Sequence, residues 1–358
     1  MAARNESTRR IHRNTAIRVN PANESGGNTR ARVLLLLTGG TLASTPDGEG
    51  TLAPSEFGDH LAEALPELRQ VATVEARSLM LKDSSDIHPD DWRTIAEAVR
   101  EEYSRFDGFV VVHGTDTMAY TASALSFLLP TVSKPVVFTG SQRPIFEPRS
   151  DARVNMVDSV TVATMAIPEV CVCMHSVLLR GNRCRKRSTI DYTAFDSPNC
   201  APLAQLGVNV ELGPEVLPPR GLPGLPLPQP LKMEQNVSVL FITPTTRPAE
   251  VRALKSAGAR GLVLLAFGAG NVPVLAGGLA DEIRALDMPC VALTQCFEGP
   301  VDLQLYSGGR RLAESGVIDG GDMTPEAALT KLMTGLGEGL AGDALNEYMT
   351  CAVAGERR

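Results

Sequence analysis

The sequence predicts two α/β domains, a larger N-terminal one with a mainly parallel sheet and a smaller C-terminal one with a parallel sheet. Three observations predict it. From residue 33 onward, short apolar runs rich in β-branched residues alternate with helix-like segments. The runs are apolar throughout rather than at every second position, which marks strands covered on both faces. A proline-rich stretch, GPEVLPPRGLPGLPLPQP at residues 213–230, divides the alternation in two.

The elements follow in order. Residues 1–32 carry seven arginines against two glutamates among Asn, Ser and Gly, so they read as a disordered basic tail. The tail lacks the apolar core of a secretory signal. It is taken as a dispensable extension rather than as a transit peptide or an RNA-touching arm. Strand runs fall at Val33–Leu37, Gly108–Val112, Pro135–Thr139, Val170–Met174, Val237–Ile242, Gly261–Ala266 and Pro289–Leu293. A helix is expected over His88–Tyr103, where Pro89 and two aspartates form a start signal. Others are expected over Ala119–Leu129, rich in Ala and Leu, and over Thr324–Glu338. No helix interior or central strand can run through the proline-rich stretch. It therefore separates an N-terminal domain at 33–212 from a C-terminal domain at 231–358.

Bulk properties exclude several classes of function. The 358 residues carry a net charge of −7, which disfavours nucleic acid as a partner. No apolar run reaches the roughly 18 residues that span a membrane. The seven cysteines are irregularly spaced and odd in number, and read as free thiols in a reducing cytoplasm. Cys171 and Cys173 share one face of a strand, which is not the spacing of a CxxC site. The five histidines are scattered, with no HExxH pattern, so neither a catalytic metal nor a cofactor is expected.

Ligands of parallel α/β folds bind beyond the carboxyl ends of the strands, so the loops there carry the chemistry. Four stand out. Thr38-Gly39-Gly40-Thr41 ends the first strand; its glycines permit a tight turn, and it matches neither a P-loop nor GxGxxG. Asp83-Ser84-Ser85-Asp86 precedes the Pro89 helix and serves either as a cap or as a grip on a polar substrate. His113-Gly114-Thr115-Asp116-Thr117-Met118 crowds more polar residues after a glycine than a cap requires. Arg180-Gly181-Asn182-Arg183-Cys184-Arg185-Lys186 is a charged loop. It is either a solvated face or the source of a lysine that activates a threonine. The nucleophile elbow GxSxG is absent. From the residues alone, this is a two-domain α/β enzyme with a Thr/Ser/Asp-rich site, a threonine as candidate nucleophile and an unnamed substrate.

Together these segments resemble the L-asparaginases, and among them the cytoplasmic type I branch. The resemblance rests on TGGT (Thr38–Thr41), Asp83–Trp92, DGFVVVHGTDTMAYTASALSF (Asp107–Phe127), KPVVFTGSQRP (Lys134–Pro144), RSDARVN (Arg149–Asn155) and RGNRCRK (Arg180–Lys186). It continues through GAGNVP (Gly268–Pro273), LTQC (Leu293–Cys296) and GVIDGGDMTPEAALTKL (Gly316–Leu332). The resemblance implies hydrolysis of the side-chain amide of L-asparagine to aspartate and ammonia, in two covalent steps, with glutamine as a poorer substrate. By position, Thr41 would form the acyl-enzyme. Thr115, Asp116 and Lys186 would form the second catalytic group, Lys186 activating Thr115 or a water beside it. Asp116 would also bind the substrate α-amino group, and Ser84 and Ser85 its α-carboxylate.

Two departures from the family pattern stand out. Many members carry a lid tyrosine a few residues past TGGT; here Gly50-Thr51-Leu52-Ala53-Pro54 has none. Tyr306, in a family segment that also carries tyrosine, is the candidate accessory residue, the alternative being structural packing. The second departure is Arg185. In some type I enzymes the residue at this position, with the cysteine matching Cys296, lines a regulatory asparagine site. A bulky arginine argues against such a site here.

Three other readings fit the sequence less well. An amidotransferase subunit releasing ammonia for tRNA-linked Glu carries a sizeable domain before TGGT, which 32 polar residues cannot form. A non-catalytic asparagine-binding protein would have lost Thr41, Thr115, Asp116 or Lys186, and all four are present. Relatives with lipid-hydrolase activity carry ankyrin-type repeats that this chain lacks. By analogy with the family, the chain is expected to assemble as a homodimer or homotetramer, the neighbour's second domain completing each site. Thr41→Ala should abolish most ammonia release from L-asparagine and leave the circular dichroism spectrum unchanged; normal turnover in that variant would remove Thr41 as nucleophile.

Overall fold

The apolar runs become strands of two separate sheets in a computed structural model, which describes residues 18–19, 30–40, 42, 44–46, 52–54, 64–219, 232–273 and 278–358. The strands are β1 (Arg18–Val19), β2 (Arg32–Gly39), β3 (Ser44–Pro46), β4 (Leu52–Pro54), β5 (Thr73–Lys82), β6 (Gly108–Val112), β7 (Val136–Thr139), β8 (Val170–Met174), β9 (Val177–Arg180), β10 (Arg185–Lys186), β11 (Phe195–Asp196), β12 (Ala204–Leu206) and β13 (Val210–Leu212). Nine of them, among the described residues, form one sheet in the order β1-β13-β12-β9-β8-β7-β6-β2-β5. From β5 through β8 all pairs are parallel. Beyond β8 the sheet continues antiparallel through β9, β12 and β13. That extension has no counterpart in the strand runs expected above, because its strands are only three or four residues long.

Continuous apolar strands have two faces to bury, and both are buried here. Leu34, Leu36, Phe109, Val111, Phe138 and Val172 face one core with helices α2 (Pro89–Glu101) and α3 (Met118–Leu128). Val33, Leu35, Val110, Val112, Val137, Cys171 and Cys173 face the other, with α1 (Leu68–Val71) and α4 (Ala152–Ala163). The period-two alternation explains the split and puts both thiols on one face, as expected. Each fully buried aliphatic side chain contributes about 1.5–3 kcal/mol.

α2 begins where the sequence signals: Pro89 sits in its first turn, and the Asp91 carboxylate accepts from the His88 backbone N–H at 2.8 Å. α4 was not foreseen. It is rich in β-branched and polar residues, and Ser159 and Thr161 turn their hydroxyls back onto the carbonyls of Asn155 and Val157 at 2.6 and 2.8 Å. β5 was also missed, because it is a sheet edge with mostly exposed or half-buried residues.

The second sheet is β14 (Val237–Phe241), β15 (Gly261–Ala266), β16 (Cys290–Thr294) and β17 (Ile318–Asp319), all parallel and in sequence order. Around it lie α5 (Pro248–Ser256), α6 (Leu279–Leu286), α7 (Ser307–Glu314), α8 (Pro325–Gly337) and α9 (Gly342–Thr350). Within the basic tail, β1 pairs with β13, Arg18 opposite Glu211; residues 1–17 and 20–29 lie outside the described residues. So do residues 220–231, most of the proline-rich stretch.

The domains meet where α3 packs on α8. Nearly every residue of α3 is buried, because the sheet covers one side and α8 the other, so it shows no amphipathic stripe. Buried charge reinforces the junction. Gly355 O accepts from Arg180 Nη1 at 3.3 Å and from Arg183 Nε at 3.1 Å, so the C-terminal segment returns to the first domain. Arg183 also pairs with Asp322 at 3.0 Å. Lys331 and Glu356 form an ion pair at 2.5 Å with both side chains fully buried. Burial pushes the Glu356 carboxyl up, but Lys331 and the N–H groups of Val353 and Ala354 outweigh it and hold the group below its ordinary value. Lys331→Met would strand that carboxylate, and should cost about 3–5 kcal/mol, read as a lower urea midpoint.

Candidate active site

The site starts from a constraint on neighbouring strands. β5, β2 and β6 lie side by side and parallel, so the loops leaving their carboxyl ends must emerge side by side. They do so in direct backbone contact. Gly39 and Gly40 have φ of +104° and +87°, a region that disfavours side chains. Gly40 N donates to Lys82 O at 3.1 Å. A Cβ on Gly40 would lie 2.4 Å from Gly114 N, and one on Gly114 2.6 Å from Ser84 Oγ. Only a glycine at each point lets the three loops close on one another. Thr38, buried, donates its hydroxyl to Val112 O at 2.9 Å and ties β2 to β6 below the turn. Thr41, like Thr51, lies outside the described residues.

The loop after β6 brings a hydroxyl and a carboxylate to one amine. Lys186 Nζ donates to Thr115 Oγ1 at 2.8 Å and to Asp116 Oδ1 at 2.5 Å. Thr115 is buried and Lys186 has 18% of its side chain exposed, whereas Asp116 keeps 65% in solvent. The amine therefore bridges a sheltered hydroxyl and an open carboxylate. Ser84 stands beside them: its Oγ accepts from Asp116 N at 3.3 Å, and its carbonyl accepts from the Thr117 hydroxyl at 2.6 Å. Among the described residues the Ser84 hydroxyl donates to no protein acceptor. Ser85 differs. Its hydroxyl and its N–H both donate to Asp83 Oδ1, at 2.7 and 2.8 Å, and these two bonds hold the Asp83 carboxyl below its ordinary value. Ser84, Thr115, Asp116 and Lys186 are thus one network, and Ser85 is turned to its own cap. Tyr306 stands outside that network, at the N-cap of α7 with 51% of its surface exposed.

Two further residues belong to the site and had no role assigned from sequence. Gln142 Oε1 accepts the Thr115 hydroxyl at 3.2 Å, while its own amide donates to Asp191 O. It sits in the loop after β7, so the rule that located the other loops would also have found it. Asp151, in the RSDARVN segment, accepts from the N–H groups of Gln142 and Arg143 and holds that loop. His113 is the second. It is fully buried, with Nδ1 2.7 Å from Gly114 O and Nε2 3.0 Å from Thr121 Oγ1. Burial depresses its pKa to about 4, against an ordinary 6.5, despite the opposing Gly114 bond and Asp91 charge. A neutral imidazole donating to Gly114 O and accepting from Thr121 fits both contacts and fixes the 113–114 peptide onto α3.

Among the described residues, no group of three or more His, Cys, Asp or Glu is placed to hold a metal ion. No helix there is long and apolar enough to cross a membrane.

Fold and site together define a two-domain α/β protein in which an amine, a carboxylate and hydroxyls converge at the mouth of a parallel sheet. The family models described as "Asparaginase, N-terminal" and "Glutaminase/Asparaginase C-terminal domain" match residues 32–216 and 236–349. The chain belongs to the asparaginase family. It is 39% identical over 330 residues to an L-asparaginase of Thermococcus kodakarensis, covering 91% of this chain and 98% of that protein. To L-asparaginase 1 of Escherichia coli it is 37% identical over 335 residues, 90% and 97% of the two chains. The solved structure of the T. kodakarensis enzyme matches with a TM-score of 0.84 at 37% identity, over 91% of this chain and 99% of that one. That of L-asparaginase I from Vibrio cholerae matches with a TM-score of 0.83 at 35% identity, over 92% and 100%.

His113 generates a pH dependence. Between pH 6.5 and about 4 the unfolded chain takes up a proton that the folded chain refuses. Stability contributed by this residue is therefore full above 6.5 and declines as pH falls toward 4. Replacing it by Asn should flatten the slope of unfolding free energy against pH in that window, measured by denaturant titration at successive pH values.

Proposed function

We propose that this chain is an L-asparaginase, hydrolysing the side-chain amide of L-asparagine to aspartate and ammonia. The observation that carries the mechanism is the bridge from Lys186 to both Thr115 and Asp116. An ammonium donates in both bonds as drawn; as the free amine, Lys186 would take a proton from Thr115 or from a water beside it. Thr115 is sheltered enough for that transfer to matter, and Asp116 both orients the amine and offers an open oxygen to a substrate α-ammonium. The Ser84 hydroxyl, which donates to no acceptor among the described residues, suits a substrate α-carboxylate. Ser85 is the weaker candidate, because its hydroxyl already serves Asp83.

In this reading the Thr41 hydroxyl attacks the amide carbon, ammonia leaves, and a threonyl ester of aspartate remains. Water then cleaves the ester with Lys186 and Thr115 as the proton relay. Gly40 against Gly114 brings the Gly40 backbone up to the segment that carries the Gly114 and Thr115 N–H groups, which are suited to receive the oxyanion. Gripping both charged ends of the amino acid orients the amide, and glutamine, one methylene longer, is expected to turn over more slowly.

Tyr306, exposed in the second domain, suits a residue reaching the site of a neighbouring copy, so a homodimer or homotetramer is proposed. Five buried free cysteines suit a reducing cytoplasm. The proposed domains are 33–212 and 231–358, joined by 213–230.

The test is ammonia release from L-asparagine and L-glutamine over a range of concentrations. Thr115→Ala and Lys186→Met should each lower kcat by about a hundredfold or more while folding normally. Retention of wild-type kcat in either would remove that residue from the mechanism.

A further inference from the structure

Arg185 immediately precedes Lys186 in a strand of two residues, β10, which among the described residues pairs with the equally short β11 alone. So short a ladder is a weak support for a side chain that must meet Thr115 and Asp116 at once. Successive side chains of a strand point to opposite faces. Lys186 turns to the Thr115 loop, and Arg185 turns to the second domain. There its Nε lies 3.4 Å from Glu326 Oε2, and its guanidinium sits 5.8 Å from the centre of the Phe297 ring.

Glu326 is an unusual partner. It lies in the first turn of α8, buried, and Oε2 accepts no hydrogen bond among the described residues. Burial pushes its carboxyl up, against the pull of Arg185 first and then of bonds from the backbone and Thr324. A carboxylate so placed is costly unless a cation compensates it. The helix it begins, α8, packs on α3, whose first residue follows the Thr115-Asp116-Thr117 loop directly. Tyr120 on α3 lies within the field of both Glu326 and Arg185. Glu326 is therefore braced against both halves of the Lys186 network, the lysine strand through Arg185 and the threonine loop through α3.

We infer that Arg185 and Glu326 form an interdomain strut that positions Lys186 over Thr115 and Asp116. The strut rests on the reading of Lys186 as the amine that activates Thr115. Neither residue touches the reacting atoms; both act through the placement of the lysine. Misplacing such a group by a fraction of an ångström should lower kcat and leave substrate binding nearly unchanged.

The test compares Arg185→Met, Glu326→Gln, the double variant and Arg185→Lys as full-length proteins, with steady-state kinetics on L-asparagine. Each of the first two should lower kcat about tenfold with KM within about twofold. The double variant should be no worse than either single, because one contact is being removed twice. Arg185→Lys, which keeps a cation, should recover most of kcat. Unchanged kcat in Arg185→Met, equal loss in Arg185→Lys, or effects that multiply in the double variant would overturn the strut. If Glu326→Gln fails to fold, the contrast between Arg185→Met and Arg185→Lys decides by the same criteria. Lys186→Met separates the two levels. Wild-type turnover there overturns the catalytic reading and the strut together, whereas inactivity there with wild-type kcat in Arg185→Met overturns the strut alone.

Discussion

The contact of Gly40 with Gly114 is the constraint on which the site depends. Three parallel strands, β5, β2 and β6, deliver their loops at one spacing, and side chains between those loops would hold them apart. With glycine at both points the backbones touch, and Ser84 Oγ falls into the remaining space. This contact brings Gly40, the Ser84 turn and the Thr115 loop together. The hydroxyls and the carboxylate that surround it are then arranged by ordinary strand geometry.

The other half of the site comes from further along the chain and is held differently. Lys186 lies on a short ladder outside the main sheet, so its placement depends on side-chain charge rather than on sheet hydrogen bonds. The surrounding segment is rich in buried cations. Arg180 and Arg183 converge on Gly355 O, Arg183 pairs with Asp322, and Lys331 pairs with Glu356. Each charged contact is costly to break once formed. The result is a junction in which the second domain and the C-terminal segment hold the loop that carries the lysine.

Much of the fold was legible in residues 33–358, and the reasons are specific. Continuous runs such as Gly108–Val112 and Val170–Met174 appear as strands with those very limits, because they are buried on both faces and contain little else. Pro89 and its two aspartates located α2 to within a turn. The elements that escaped notice are those whose burial is partial or whose polar groups are satisfied internally. β5 is an edge, and α4 hides its hydroxyls by bonding them to its own carbonyls. The loops after the strands were found by position, but the role of Gln142 was not, since its bond to Thr115 spans 27 residues, a helix and a strand.

By itself the sequence determined two parallel α/β units, the loops at their carboxyl ends and the residue types in those loops. Local propensity and burial period are sufficient for that, because both are properties of neighbouring residues. The tertiary structure supplies the contacts of Lys186 with Thr115 and Asp116 across about 70 residues, which only the family resemblance implied, and it alone decided that Ser84 rather than Ser85 faces them and that Arg185 reaches back to Glu326. Those contacts depend on where strands and helices stack in space, and sequence spacing carries no record of the distance between atoms that stacking brings together.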